Sequence, residues 1–180
     1  MAFLRLFGRK RWERAGFALY TAAVRAAREP YFYTQLGVPD TMDGRFDMIG
    51  LFVFLLIDRL QKEGAPGPEL AQAVFDAMFL DMDMTLRELG AGDMSVARRV
   101  KAMWEALHGR SLAYAGAMAS GDAAELTQAL ARNVWRGGAA ASGAAALAAH
   151  ALCEHEHLAG QDLAALLQGR VTFLPAVAPA

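Results

Sequence analysis

Apolar residues recur along this chain at helical spacing almost from end to end, and no two segments alternate as paired strands would. From Trp12 to Arg28 the spacing predicts a helix that buries Phe17, Tyr20, Val24 and Ala27, and Pro30 ends it. Tyr31 to Asp40, YFYTQLGVPD, reads as a helical turn and a loop whose aromatics plug the core. Thr41 is the expected N-cap of a helix reaching about Glu63, and its middle, FDMIGLFVFLLIDRL, is apolar nearly all round. That helix should be the most buried element, with Gly50 admitting a close neighbour. GAPGP is the next connection, with Pro68 suited to a first helical position. A helix to Leu89 follows and is closed by Gly90 and Gly92. Asp93 or Ser95 then caps a stripe of Val96, Val100, Met103 and Leu107. Beyond Gly109 the stretch RSLAYAGAM predicts a separate short helix. Asp122 and Glu125 have capping-box spacing and open another, which runs to Trp135 and stops at Gly137 and Gly138. An alanine-rich helical tract extends to Leu158, and Asp162 to Leu167 adds a turn or two. VTFLPAV has no partner strand and should fold back on the helices as an extended tail.

The pattern therefore predicts an all-α fold, a single compact domain of about six to eight helices. Residues 1–14 form a basic amphipathic arm, 15–175 the helical domain and 176–180 a tail.

The stretch Phe75 to Asp93, FDAMFLDMDMTLRELGAGD, is apolar on two sides. Phe75, Met78, Phe79, Met82, Leu86 and Leu89 share one broad stripe, while Leu80 and Met84 face the opposite way. The carboxylates and Arg87 lie along the flanks. Such a helix either sits among several others or offers Leu80 and Met84 to a partner, flanked by Asp81 and Asp83, and flexible methionines suit an adaptable contact surface.

Composition narrows the class. More than half of the 180 residues are apolar, with alanine and glycine prominent, which favours tight helix packing. The longest apolar run, Met48 to Ile57, is about half of the roughly 20 residues that span a bilayer. The one cysteine, Cys153, excludes an internal disulfide and points to a reducing compartment such as the cytoplasm; the basic N-terminus lacks the apolar core of a secretion signal.

Charge is unevenly placed. Met1 to Arg28 carries seven Arg or Lys against one Glu, whereas Asp40 to Asp93 carries eleven carboxylates against four basic residues. In the arm, Phe3, Leu4, Leu6, Phe7 and Trp12 interleave with Arg5, Arg9, Lys10, Arg11 and Arg14, a pattern suited to an anionic lipid surface; Gly8 is expected to interrupt its helix. Arg98, Arg99 and Lys101 are expected to pair with the acidic helix before them.

Candidate chemistry is sparse. Asp81 and Asp83 diverge by about 160° on a helix and do not match a calcium loop, whereas Asp83 and Arg87 make an ordinary i, i+4 pair. In HALCEHEH, His150, Cys153, Glu154 and His157 lie within about 100° of one another and include zinc- and iron-ligating types. A solvated polar face explains them equally well. No nucleophile elbow, phosphate loop, dinucleotide fingerprint or CxxC is present, so no cofactor and no enzyme activity is expected. The three aromatics at Tyr31 to Tyr33 lack basic neighbours, and DNA is not an expected partner. The residues alone lead to a soluble helical binding module.

Several segments in order resemble the ubiquinol–cytochrome c chaperone family: FYTQLGVPDTMDGRFDMIGL, DAMFLDMDMTLRELGAGDMSVARRVKAM, HGRSLAYAGAM, LARNVW and GRVTF, a resemblance running from about Ala15 to Phe173. It departs at Phe52, where the family pattern has His after the Leu. The resemblance implies a non-enzymatic factor for assembly of the respiratory bc1 complex. Such a factor engages newly made cytochrome b before or during haem acquisition, on the cytoplasmic face of the membrane and with a second assembly factor. The alternative is a haem or metal carrier using His150, His157 or methionine ligands.

Overall fold

The computed structural model describes residues 2–138 and 141–176, with side chains from Arg11 onward apart from Ala141. The described residues form helices joined by turns and loops, without a strand. The elements are α1 (Ala2–Ala27), α2 (Pro30–Thr34), α3 (Met42–Gln61), α4 (Gly67–Glu88), α5 (Asp93–Ser120), α6 (Ala123–Asn133), a 3-10 turn (Ala141–Gly143), α7 (Ala144–Ala159) and α8 (Leu163–Leu167).

The apolar helix α3 is the centre, as its pattern requires: every residue from Phe46 to Leu56 is buried. Thr41 caps it by accepting the Gly44 N–H at 3.1 Å, and α1, α4, α5 and α7 all pack against it. Gly50 lets Leu107 of α5 approach closely. On the far side α6 and α7 pair, with the Asp122 carboxylate accepting from Ala124 and Glu125 at the start of α6.

The most extensive helix pair is α1 with α4. The buried residues of α1 are Ala15, Leu19, Tyr20, Ala23, Ala26 and Ala27, and Gly16 lies directly on Ala73 of α4. Small side chains bring the two backbones together and thereby decide which face of α1 turns inward. The larger Phe17 is left 53% exposed, contrary to its predicted burial.

Two predicted breaks are also absent. Helix α1 passes through Gly8, and α5 passes through Gly109, absorbing the expected short helix after it. A lone mid-helix glycine costs only about 1 kcal/mol relative to alanine and stops nothing without a cap or a left-handed turn. The real stop is Gly121, at φ 68°, between α5 and α6. Neither Asp93 nor Ser95 caps α5: Gly92 is its N-cap, without a side-chain bond, and Asp93 pairs with Arg87. Leu89, assigned to the buried stripe, sits at the C-cap of α4 and is 60% exposed.

Candidate functional site

Helix α4 separates its two apolar sides as its sequence predicts. Met78, Met82 and Leu86 are buried, and Phe75 and Phe79 are half-buried with ring centroids 4.6 Å apart. On the opposite side Leu80 is 58% and Met84 53% exposed. An open groove between α1 and α4 joins Leu80 to the exposed Phe17, with Glu13, Arg14 and Asp76 at its edges. Phe17 thus belongs to the surface that Leu80 and Met84 begin, and only the α1–α4 crossing could reveal it.

The flanking carboxylates are both engaged within the protein. Asp81 accepts a 2.6 Å hydrogen bond from the hydroxyl of buried Tyr20 and lines a cleft of about 310 Å³ on the other flank, with Arg28, Arg45, Met42 and Met103. Burial first, and then Asp81 itself, hold the Tyr20 phenol far above its ordinary value. Asp83 is held by Arg87 at 2.6 Å, and Arg87 also reaches Asp93. This Arg87 bridge, rather than Arg98, Arg99 or Lys101, carries the charge pairing between α4 and α5. Lys101 lies 3.8 Å from Glu105 on its own helix, and Arg98 and Arg99 have no ion pair among the described residues. A further groove between α3 and α5 exposes Trp104, whose ring stacks on His108 at 5.4 Å, beside Leu112. Their spacing was legible, but their exposure follows from how α5 lies.

The arm residues Phe3, Leu4, Arg5, Leu6, Phe7, Arg9 and Lys10 lie outside the described side chains. Arg11 is exposed and its guanidinium sits 4.8 Å over the Trp12 ring. Trp12, assigned to membrane contact, is partly buried against the core.

The polar residues of α7 are not a solvated face. Glu154 is completely buried, His150 is mostly buried, and Cys153 is exposed. His157 meets Thr172 of the C-terminal segment. Of the four, only His150 and Glu154 come together, 3.8 Å apart, and the described residues contain no group of three metal-ligating side chains close enough to hold an ion. Phe52, at the position where the resemblance departs, packs edge-on to Phe32 and Phe173 and lies against His150.

A buried charge cluster lies at the other end of α3. Asp47, 2% exposed, pairs with Arg110 of α5 and lies 3.5 Å from Arg136, which follows α6. Burial pushes its carboxyl up to about 6 against the pull of the two arginines. Arg136 adopts φ 54°, a left-handed conformation that a non-glycine residue rarely takes, and from there its guanidinium also reaches Asp43 at 3.3 Å. The cluster ties three elements together by charge.

The family model for ubiquinol-cytochrome C chaperones matches residues 34–173. The chain belongs to this family. The match starts at Thr34, later than the resemblance suggested, and covers α3 to α8 and the C-terminal segment as far as Phe173. Among its relatives, the ubiquinol-cytochrome-c reductase complex assembly factor 1 of Xenopus laevis is 23% identical over 122 residues. The aligned part is 68% of this chain and spans 58% of the length of that relative. The crystal structure of the Cbp3 homolog from Brucella abortus is 36% identical, superposes with a TM-score of 0.82 and covers 96% of each chain. The chaperone fold therefore extends over α1 as well, including the crossing that positions Phe17 beside Leu80.

Proposed function

We propose that this chain is a non-enzymatic chaperone for assembly of the ubiquinol–cytochrome c reductase (bc1) complex, and that its client is newly made cytochrome b. Family membership across residues 34–173 carries the assembly role. The client surface is the α1–α4 face, where Phe17, Leu80 and Met84 each remain more than half exposed. A nascent membrane subunit presents apolar helices before they are packed, and a surface of flexible and aromatic side chains suits such a ligand. The basic arm at residues 1–14 would keep the protein on the inner face of the membrane, where a second assembly factor joins it.

The test is the double substitution Leu80→Asp with Met84→Asp. Both side chains are exposed, so the cost to the fold is confined to helix propensity and new like-charge neighbours, about 1 kcal/mol in all. Helicity and melting should change little while co-purification with cytochrome b is lost. Retained co-purification would assign the client to another surface.

A further inference from the structure

The C-terminal segment, residues 170–176, has no secondary structure, yet α7 and the turn after it grip its backbone at alternate residues. Gln161 clamps Thr172 at both ends, accepting its N–H at 3.0 Å and donating to its carbonyl at 2.7 Å. Two residues on, the Leu174 N–H donates to Glu154 Oε2 at 2.9 Å. Between these bonds Phe173 turns inward onto Phe52. The segment is a strap held by side chains where a strand would be held by a neighbouring strand.

Beneath the strap two polar atoms have no hydrogen-bond partner among the described residues: Glu154 Oε1 and His150 Nε2. Glu154 Oε2 lies 3.8 Å from that nitrogen, and Phe32 and Phe52 close the site. Charges on the surrounding elements are engaged elsewhere. Arg59 of α3 donates to the carbonyls of Leu158 and Gln161 and to Glu63, Asp58 of α3 takes Lys62 and His155, His157 of α7 meets Thr172, and Arg170 of the strap is exposed. A carboxylate and an imidazolium here would be two buried charges with poor compensation, whereas a carboxylic acid and a neutral imidazole place no charge in the site.

We propose that Glu154 and His150 together carry one proton, as a neutral pair that latches the C-terminal strap on α7, and that releasing the strap moves this proton from the carboxyl to the imidazole. In the strapped state the carboxyl keeps the proton and the imidazole, 3.8 Å away, is neutral. On release both groups meet water, the O–H bond breaks, an N–H bond forms on the imidazole, and Leu174 exchanges its carboxyl acceptor for solvent. Burial acts on the two groups in opposite senses, raising the carboxyl to about 7 and lowering the imidazole. The pair therefore keeps nearly the same proton count in both states, and the latch is buffered against pH.

Removing either partner should unmask the other. Amide hydrogen exchange at Thr172 and Leu174 of the full chain, corrected for intrinsic rates, reads strap opening between pH 6 and 8. In His150→Gln only the carboxyl titrates, and its move from about 7 to the ordinary 4.5 on release makes opening about tenfold more frequent at pH 8 than at pH 6. In Glu154→Gln only the imidazole titrates, and opening becomes rarer as pH rises. The unaltered chain should change less than His150→Gln across the same range, with α3 amides unaffected in all three. A common slope in all three chains, or a strap unprotected at every pH in His150→Gln, would overturn the one-proton pair.

Discussion

Substituting Gly16 with alanine tests whether the α1–α4 crossing depends on backbone contact. A Cβ at this position would lie 2.7 Å from both the carbonyl carbon and the Cβ of Ala73, and 2.8 Å from its oxygen. Ordinary carbon contacts lie near 3.5–4.0 Å, so the helices must part by about 1 Å. Two of the three obstructing atoms are backbone and cannot rotate aside. Overpacking of this kind costs about 3 kcal/mol, and the better helix propensity of alanine returns about 1, leaving a net loss of about 2 kcal/mol. Gly109 and Gly116 supply the control, since among the described residues nothing lies within 4 Å of an added Cβ at either. There the propensity term acts alone and should stabilise by up to about 1 kcal/mol at each site. In a domain of this size the expected shifts in Tm are roughly −4 to −8 °C for Gly16→Ala and +2 to +4 °C for Gly109→Ala. Thermal unfolding followed by far-ultraviolet circular dichroism measures both. A Gly16→Ala chain that melts at or above the unaltered protein would refute the reasoning.

Two other expected outcomes concern charge. The folded state holds the proton of Asp47 more tightly than the unfolded chain, so ionisation of Asp47 weakens the fold progressively from about pH 4 to pH 6 and by a constant amount above that. Arg110→Gln removes the larger opposing pull, and its destabilisation should be about 3 kcal/mol at pH 8 and distinctly smaller at pH 5, measured by urea unfolding at the two pH values; an equal loss at both would mean that the carboxylate is not what Arg110 serves. Deleting residues 1–11 should move the protein from membrane to soluble fractions, with the largest difference at low salt, because exposed charges are screened as ionic strength rises. Unchanged fractionation would remove the arm from the membrane reading.

Much of this fold is written in local pattern. The apolar run of Phe46 to Leu56, the cap at Thr41, the cap at Asp122 and the extended tail are each set by residues within a few positions of one another, and each stands where its pattern predicts. The opposed sides of α4 were equally legible, because a helical period alone places Leu80 and Met84 away from Met78 and Met82. Errors fell where a local signal was weak or its partner distant. Gly8 and Gly109 resemble breaks locally, yet a helix continues through a glycine when the turns on either side are sound.

The sequence by itself determined that this chain is helical, which helix lies at the centre, which side of α4 is surplus to the core, and the family to which the whole belongs. Tertiary structure alone decided what the surplus side meets. The Gly16–Ala73 contact turns Phe17 outward beside Leu80, and the strap turns an expected polar face at His150 and Glu154 into a buried pair. Both outcomes depend on contacts between residues far apart in the chain. Periodicity records which way a side chain points from its own helix, but it holds no information on what another helix brings against it.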